Sequence, residues 1–182
     1  MAVSAATVPE APLLDTEHGL VASGDGWFVL NAREARWRHR KGIASLVFDG
    51  ETHFQQIGVA VVVLWPGTAM TMYHREGDQE DFLVLSGEPL LIVEGQERPL
   101  RQWDFVHCPP QTEHAFVGAG DGPSVVLAVG AREHEVTTFT VDEAAIRHEA
   151  GVEKETTDWE EAYAGVTERS QPARYEDGWL PN

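Results

Sequence analysis

The feature of this sequence that most restricts its fold is a succession of short apolar stretches between Trp27 and Val141, each closed by glycine or proline. Such stretches are typical of β-strands, because the glycines between them accept positive φ and the prolines fix φ in turns. Many short strands at roughly even spacing predict an all-β sandwich or barrel. The predicted strands are Trp27–Leu30, Ile43–Phe48, Ile57–Trp65, Met70–Glu76, Glu80–Ser86, Leu90–Glu94, Phe105–Cys108, Ala115–Val117, Val125–Val129 and Thr137–Val141.

The two ends of the chain have a different character. Residues 1–20 carry prolines and acidic residues without a strand pattern, and we expect a flexible tail there. After the predicted barrel of residues 21–141, residues 142–182 are expected to form a helical extension and an arm. Thr140 and Glu143 fit a capping box that opens one short helix, and a second helix is predicted from Asp158. The late aromatic residues Tyr175 and Trp179 predict an arm that packs on the barrel or on a partner subunit.

Charge and cysteine content exclude several classes of protein. The net charge of −17 argues against a nucleic-acid or anionic-membrane surface, because both require clustered Lys and Arg. The basic residues cluster once, in RWRHRK from Arg36 to Lys41, which we expect to be a polar turn between strands. No apolar run reaches the roughly 20 residues that span a bilayer.

A single cysteine, Cys108, allows no intramolecular disulfide, and together with an N-terminus unlike a signal peptide it predicts a cytoplasmic protein.

His74, Glu76 and Glu80 stand in what otherwise resembles a plain β-hairpin, YHREGDQEDFLVLSGE. Side chains two residues apart on a strand share a face, so His74 and Glu76 point the same way. Glu80 then follows the predicted turn and enters the returning strand. His114, at the start of a later strand, is a fourth candidate ligand. Either these residues form a metal site, or the hairpin is a solvated acidic turn.

These residues resemble the two sequence motifs of the cupins. In the first motif, Gly67, His74, Glu80 and Gly87 match, while Glu76 stands where the family has a second histidine. In the second motif, Pro109 and His114 match, whereas Trp103 and Gln111 stand where the family has glycines, and Gly118 replaces an asparagine. The resemblance covers about Ile43 to Arg132.

The resemblance implies a jelly-roll barrel (a double-stranded β-helix), a homodimer and a divalent transition metal, which is Fe, Mn, Ni or Zn. The implied ligands are His74, Glu80 and His114, and Glu76 is either a further ligand or a catalytic general base. The implied function is a metal-dependent enzyme on a small molecule, with dioxygenase-like, isomerase or lyase chemistry. The alternative is a non-catalytic cupin that binds or senses a small molecule or a metal. A third interpretation is an assembly protein whose arm mediates dimerisation.

The remaining aromatic residues and histidines have simpler interpretations. We expect His107 to be a hydrogen-bonded core histidine, and Cys108 to be a buried thiol. Alternating positions on predicted strands favour ordinary core packing for the large aromatic side chains Trp65, Tyr73, Phe82, Trp103 and Phe116.

Overall fold

The architecture consists of two antiparallel sheets that face each other. A computed structural model describes residues 7–134 and 136–181. The seven-stranded sheet has the order β10 (Phe105–Cys108), β7 (Glu80–Ser86), β12 (Ser124–Ala131), β5 (Ile57–Leu64), β4 (Ile43–Val47), β3 (Trp37–Arg40) and β14 (Gln171–Ala173). The five-stranded sheet has the order β13 (Thr137–Phe139), β6 (His74–Glu76), β11 (His114–Val117), β8 (Leu90–Val93) and β9 (Gln96–Pro99). The prediction of an all-β jelly roll is confirmed.

A two-stranded hairpin and two short helices complete the described chain. The strands β1 (Leu13–Thr16) and β2 (Gly19–Ala22) form a separate hairpin, and the helices are α1 (Glu143–Arg147) and α2 (Trp159–Ala162). The stretch expected to be a flexible tail therefore contains an ordered strand from Leu13 onward, while its residues 1–6 lie outside the described part. Among the described residues, no helix has the length and hydropathy needed to cross a membrane.

The inner core lies between the two sheets and receives side chains from both. Because side chains alternate along a strand, Phe82 of β7 and Phe116 of β11 point inward, and their rings lie 4.6 Å apart. The two phenylalanines are 3% and 1% exposed, so they are withdrawn from water almost completely. The same cluster contains Ile43, Val62, Leu64, Leu91, Val106, Cys108 and Val126.

The C-terminal arm covers the outer face of the seven-stranded sheet. Trp179 packs edge-on against Trp37, with ring centroids 5.3 Å apart, and both rings are buried. Val61 and Val63 of β5 lie under these rings, whereas the alternate residues of β5 face the inner core. Burial on both faces explains why β5 reads as a continuous apolar run. The arm thus packs on its own barrel, which was one of the two arrangements predicted.

Two of the predicted elements are wrong. The basic cluster is not a turn, because Trp37–Arg40 forms strand β3, which pairs with β4 and β14. Burial of the Trp37 ring under the arm accounts for a strand in so polar a sequence. The segment Trp27–Leu30 forms only an isolated bridge to Glu10, because Trp27 and Val29 are exposed and have no sheet face to cover.

The first helix also begins differently from the prediction. Its N-cap is Asp142, whose carboxylate accepts a hydrogen bond from the backbone N–H of Ala145 at 2.8 Å. Thr140, just after β13, is buried, and its hydroxyl makes no hydrogen bond with the described residues. The T-x-x-E pattern therefore indicated where the helix begins but not which residue caps it. The second helix begins after Asp158 as predicted. The Asp158 carboxylate accepts hydrogen bonds from the backbone N–H groups of Glu160 and Glu161.

Two turn positions hold large residues in the left-handed region. Trp103 has φ of 74° and Gln111 has φ of 72°, and both stand where the cupin motif has glycine. A side chain at positive φ brings Cβ close to the backbone carbonyl, which costs about 1–2 kcal/mol. Trp103 is 66% exposed, so the expectation that it packs in the core is wrong. Both turns therefore adopt the left-handed backbone that glycine favours, without a glycine at either position.

Replacing Trp103 with Gly is expected to stabilise the protein by about 0.5–1 kcal/mol. Glycine relieves the backbone strain at this position. That gain exceeds the cost of about 0.5–1 kcal/mol that arises because glycine increases the conformational entropy of the unfolded chain. The exposed Trp103 ring contributes little packing that would be lost. Urea unfolding measures the difference. Gln111→Gly is the matched control and should gain less, because the Gln111 side chain donates to the carbonyl of Glu76 at 3.1 Å. A loss of more than about 1 kcal/mol in Trp103→Gly would contradict the strain argument.

Candidate metal centre

Three candidate ligands converge from three strands of the two sheets. His74 begins β6 and His114 begins β11, and these residues are direct partners in the antiparallel pairing of the two strands. Glu80 begins β7, which belongs to the opposite sheet. One ligand atom from each of the three lies within 4.8 Å of the others. Both imidazoles are buried, so the three side chains form a compact group inside one end of the barrel.

The ligands meet across the barrel rather than along a hairpin. The sequence predicted that β6 and β7 pair around the turn at residues 77–79, but the two strands belong to different sheets. β6 pairs with β11 and β13, while β7 pairs with β10 and β12. The turn therefore carries the chain from one sheet to the other, and Glu80 faces the histidines from the opposite wall.

Both histidines are held in the tautomer that binds metals through Nε2. Nδ1 of His74 lies 2.8 Å from the carbonyl oxygen of Met72, and Nδ1 of His114 lies 3.1 Å from the carbonyl oxygen of Thr112. A carbonyl only accepts hydrogen bonds, so each Nδ1 must carry the proton. The lone pair of a neutral ring is then on Nε2, which points toward Glu80. In both cases the acceptor lies two residues before the histidine.

The Glu80 carboxylate fits a cation between the two imidazoles. Its Oε2 lies 3.3 Å from Nε2 of His114 and 3.9 Å from Nε2 of His74. This oxygen is buried and accepts no hydrogen bond from the described residues. A buried carboxylate oxygen without a partner is unfavourable, and a divalent metal ion would satisfy it. Two imidazoles and one carboxylate form a donor set that suits first-row transition metals.

Glu76 lies beside the three ligands and has a partner of its own. Its Oε1 is 3.4 Å from Nε2 of His74 and accepts a hydrogen bond from the Thr137 hydroxyl at 2.8 Å. Burial alone would raise the pKa of Glu76, but the adjacent His74 imidazole and the hydrogen bond from Thr137 outweigh burial and lower it. Burial would likewise lower the pKa of His74, but Glu76 and Glu80 together raise it. The Glu76 carboxylate therefore gives the site a negative charge, which favours the binding of a cation.

An open cavity gives access to this end of the barrel. Its volume is about 480 Å³, and Glu76, Glu80, Thr137 and Trp159 contribute to its wall. The Glu76 and Glu80 side chains are 23% and 22% exposed, whereas those of the two histidines are at most 6% exposed. A molecule entering the cavity would therefore meet the carboxylates before the imidazoles.

Tyr163, just after α2, connects the mouth of the barrel to His74. Its hydroxyl accepts a hydrogen bond from the backbone N–H of Met72 at 3.2 Å, and the carbonyl of Met72 holds Nδ1 of His74. The Tyr163 ring stacks on Trp159 with an interplanar angle of 6°, and both rings meet Phe139 edge-on. The C-terminal extension thereby supports the peptide that orients a candidate ligand.

Replacing Tyr163 with Phe is expected to weaken Zn²⁺ binding by up to about tenfold, because the peptide that orients His74 loses a hydrogen bond. The free energy of unfolding should fall by about 1 kcal/mol. Competition with a chromophoric chelator measures the affinity. Tyr175→Phe is the control, since the hydroxyl of Tyr175 makes no hydrogen bond with the described residues. Unchanged affinity in Tyr163→Phe would show that the orientation of His74 does not depend on the hydrogen bond between Met72 and Tyr163.

The structure brings three of the four predicted metal residues into one group and sets Glu76 at its edge. Sequence reasoning missed Thr137, which faces Glu76 in the β13–β6 register, because nothing local distinguishes this threonine from any other on a strand.

The expectation for His107 is wrong: it lies on the outer face and pairs with Asp81 at 2.6 Å. Cys108 is buried as expected, and burial raises the pKa of its thiol to about 12, which favours the neutral thiol over the reactive thiolate.

Solved structures similar to the chain include two proteins described as sugar phosphate isomerases. The one from Acidithiobacillus ferrooxidans has 28% identity and a TM-score of 0.43, over 46% of this chain and 54% of that chain. The one from Silicibacter pomeroyi has 26% identity and a TM-score of 0.46, over 57% of this chain and 73% of that chain.

KdgF from Halomonas sp. is also similar, with 20% identity and a TM-score of 0.47, over 54% of this chain and 88% of that chain. No curated protein matches the chain. A family model described as the cupin domain matches residues 60–130, which include β6, β7 and β11 and therefore all the candidate ligands. The chain thus contains a cupin domain.

Proposed function

We infer that the protein is a metal-dependent enzyme that moves a proton on a small molecule, as isomerases and lyases do. The observation that carries this proposal is the pairing of two unlike carboxylates. Glu80 lies between Nε2 of His114 and Nε2 of His74 and lacks a hydrogen-bond partner among the described residues, whereas Glu76 is held beside them by Thr137. In this proposal His74, Glu80 and His114 hold the metal, and Glu76 is the general base.

The bound metal would act as a Lewis acid that polarises a carbonyl group of the substrate. Glu76, whose pKa is lowered, is ionised at neutral pH and can accept the proton from the adjacent carbon. Returning that proton to the former carbonyl carbon, while a hydroxyl proton shifts between the two oxygens, completes an isomerisation. Loss of a leaving group from the carbon on the other side of the deprotonated carbon completes an elimination, because the electron pair of the enolate forms the new double bond. The Thr137 hydroxyl keeps the accepting oxygen in place, because it donates to Oε1 of Glu76.

Elemental analysis of protein purified without a nickel column tests the metal site. We expect close to one divalent transition metal ion per chain, chosen from Fe, Mn, Ni and Zn, and its loss in His114→Ala. The same analysis identifies which of these metals the protein carries. Metal-free protein that also fails to bind added Zn²⁺ would overturn the proposal.

Exchange of substrate protons with D₂O tests the role of Glu76. NMR of a panel of hydroxy ketones and 2-oxo acids should show metal-dependent C–H exchange, and Glu76→Gln should abolish the exchange while retaining the metal. Metal bound without exchange in any compound would favour the non-catalytic binding or sensing alternative. Metal-dependent oxygen consumption would instead favour dioxygenase-like chemistry, which a site of two imidazoles and one carboxylate also permits.

The homodimer and the cytoplasmic location implied by sequence remain predictions. The third interpretation, an assembly role for the arm, requires Tyr175 and Trp179 to be buried between subunits. Trp179 is already 4% exposed within a single chain, which does not support that interpretation. Sedimentation equilibrium would determine the oligomeric state.

A further inference from the structure

The basic cluster that sequence reasoning assigned to a turn has two faces. Because it forms strand β3, its side chains alternate between the two sides of the sheet. Trp37 and His39 meet the Trp179 ring of the arm, at 5.3 Å and 5.4 Å between centroids. Arg38 and Arg40 take the opposite face and enter the wall of a large cavity. Burial of the tryptophan explains why the segment is a strand, but the arginines belong to neither apolar cluster of the seven-stranded sheet.

This cavity, which we call the arginine cavity, is defined by β3, β4, α2 and residues 164–171. Its volume is about 910 Å³, within the usual range for small-molecule sites. Arg38, Arg40 and Arg169 line it, together with the carboxylates of Glu160 and Glu168. Three guanidinium groups in one cavity are notable in a chain of net charge −17. The Glu168 carboxylate is already engaged, because it accepts from the backbone N–H of Lys41 at 3.1 Å.

Two of the three guanidinium groups are free to bind a ligand. Arg38 donates to the carbonyl of Ser170 at 2.6 Å, which fixes the segment that closes the cavity. The guanidinium groups of Arg40 and Arg169, which line the cavity, make no hydrogen bond or ion pair within residues 7–134 and 136–181. Guanidinium groups present several donors in a plane that matches carboxylate and phosphate oxygens. An acidic group is therefore the ligand that these donors suit best.

The arginine cavity adjoins the cavity at the candidate metal centre. Ile43 and Ser45, on the inner face of β4, line the arginine cavity, and Val47 on the same face lines the metal-side cavity. Trp159 borders both. Two residues along a strand span about 7 Å, so the wall of one cavity continues directly into the wall of the other.

We propose that the arginine cavity binds the acidic group, a phosphate or a carboxylate, of a small molecule whose other end lies at the metal centre. Arg40 and Arg169 would bind that group, and Arg38 would hold the wall through Ser170. The bridging part of this proposal rests on the proposed function, whereas anion binding by the arginines does not require the metal.

Titration of metal-free protein with inorganic phosphate tests anion binding by itself. Isothermal calorimetry at constant ionic strength should show saturable binding that Arg40→Gln and Arg169→Gln each weaken by about tenfold. Arg36→Gln is the matched control, because Arg36 belongs to the same basic cluster but does not line the cavity. Acetate in place of phosphate distinguishes a carboxylate site from a phosphate site. If neither anion binds, or if the three variants bind alike, the proposal is wrong.

A bifunctional probe tests the connection between the two cavities. Zn²⁺ loading should tighten the binding of 3-phosphoglycerate by at least about tenfold, since its carboxylate end could reach the metal, but should leave inorganic phosphate unaffected. Arg40→Gln should weaken 3-phosphoglycerate in both forms. Equal affinities with and without Zn²⁺ would overturn the bridging part, and the phosphate titration would still decide anion binding. Failure of the protein to bind Zn²⁺ at all would count against the proposed function instead.

Discussion

Replacing Glu80 with Gln is expected to weaken Zn²⁺ binding by at least about 100-fold, because the amide retains the shape of the side chain but removes the only charge among the three ligands. Oε2 of Glu80 lies between the two Nε2 atoms and accepts no hydrogen bond from the described residues, so no other contact of that oxygen is lost. Competition with a chromophoric chelator measures the affinity. Differential scanning calorimetry should show that the metal-induced rise in Tm disappears, as linkage requires.

The neighbouring carboxylate provides the matched control for this substitution. Asp81 follows Glu80 on β7, so its side chain faces the outside of the barrel, where it pairs with His107. Asp81→Asn should therefore bind Zn²⁺ as the unsubstituted protein does. Equal weakening in both variants would indicate a general electrostatic effect of an acidic protein rather than coordination by Glu80. Unchanged binding in Glu80→Gln would remove Glu80 from the site.

Replacing Trp179 with Ala should lower the free energy of unfolding by about 3–5 kcal/mol, the usual cost of removing a buried large aromatic side chain. The Trp179 ring is 4% exposed and lies against Trp37, Trp65 and Tyr175. The substitution would leave a cavity between the arm and the seven-stranded sheet. Urea unfolding followed by far-UV circular dichroism measures the loss.

The control for this substitution is Trp27→Ala, which should cost less than about 1 kcal/mol because Trp27 is 51% exposed. The measurement also separates the two arrangements of the arm that the sequence allowed. With the arm on its own barrel, the loss of stability is independent of protein concentration. A loss that disappears at high concentration would place the Trp179 ring between subunits.

Local patterns were sufficient to predict the barrel because most strands of the central region carry their own signal. Val61 to Leu64 is an unbroken apolar run, and Gly87 has φ of 80° at a predicted turn. Strand β3 could not be predicted from such a signal. It forms a strand because Trp37 packs against Trp179, a residue far away in the sequence. The arginines on either side of Trp37 suggested a turn instead.

The candidate ligands could be predicted because their spacing in the sequence matches a known motif. His74 and His114 were named from that spacing, and the structure shows them as direct partners on neighbouring strands. Their environment could not be predicted in the same way. Thr137 and Tyr163 act on Glu76 and Met72 through contacts across the fold, and neither belongs to a motif. The departure at Glu76 was visible in the sequence, but its distance from His74 required the structure.

The position of the arm has a consequence for how this protein folds during synthesis. Strand β14 completes the edge of the seven-stranded sheet against β3, and Arg33 donates to the carbonyl of Pro181, 148 residues later in the chain. Such distant contacts form slowly, because a long loop must close before they contribute. On the ribosome, the β3 edge and the Trp37 ring would stay uncovered until β14 and Trp179 leave the exit tunnel. A chain released early would therefore expose an unpaired strand edge, which is where aggregation begins.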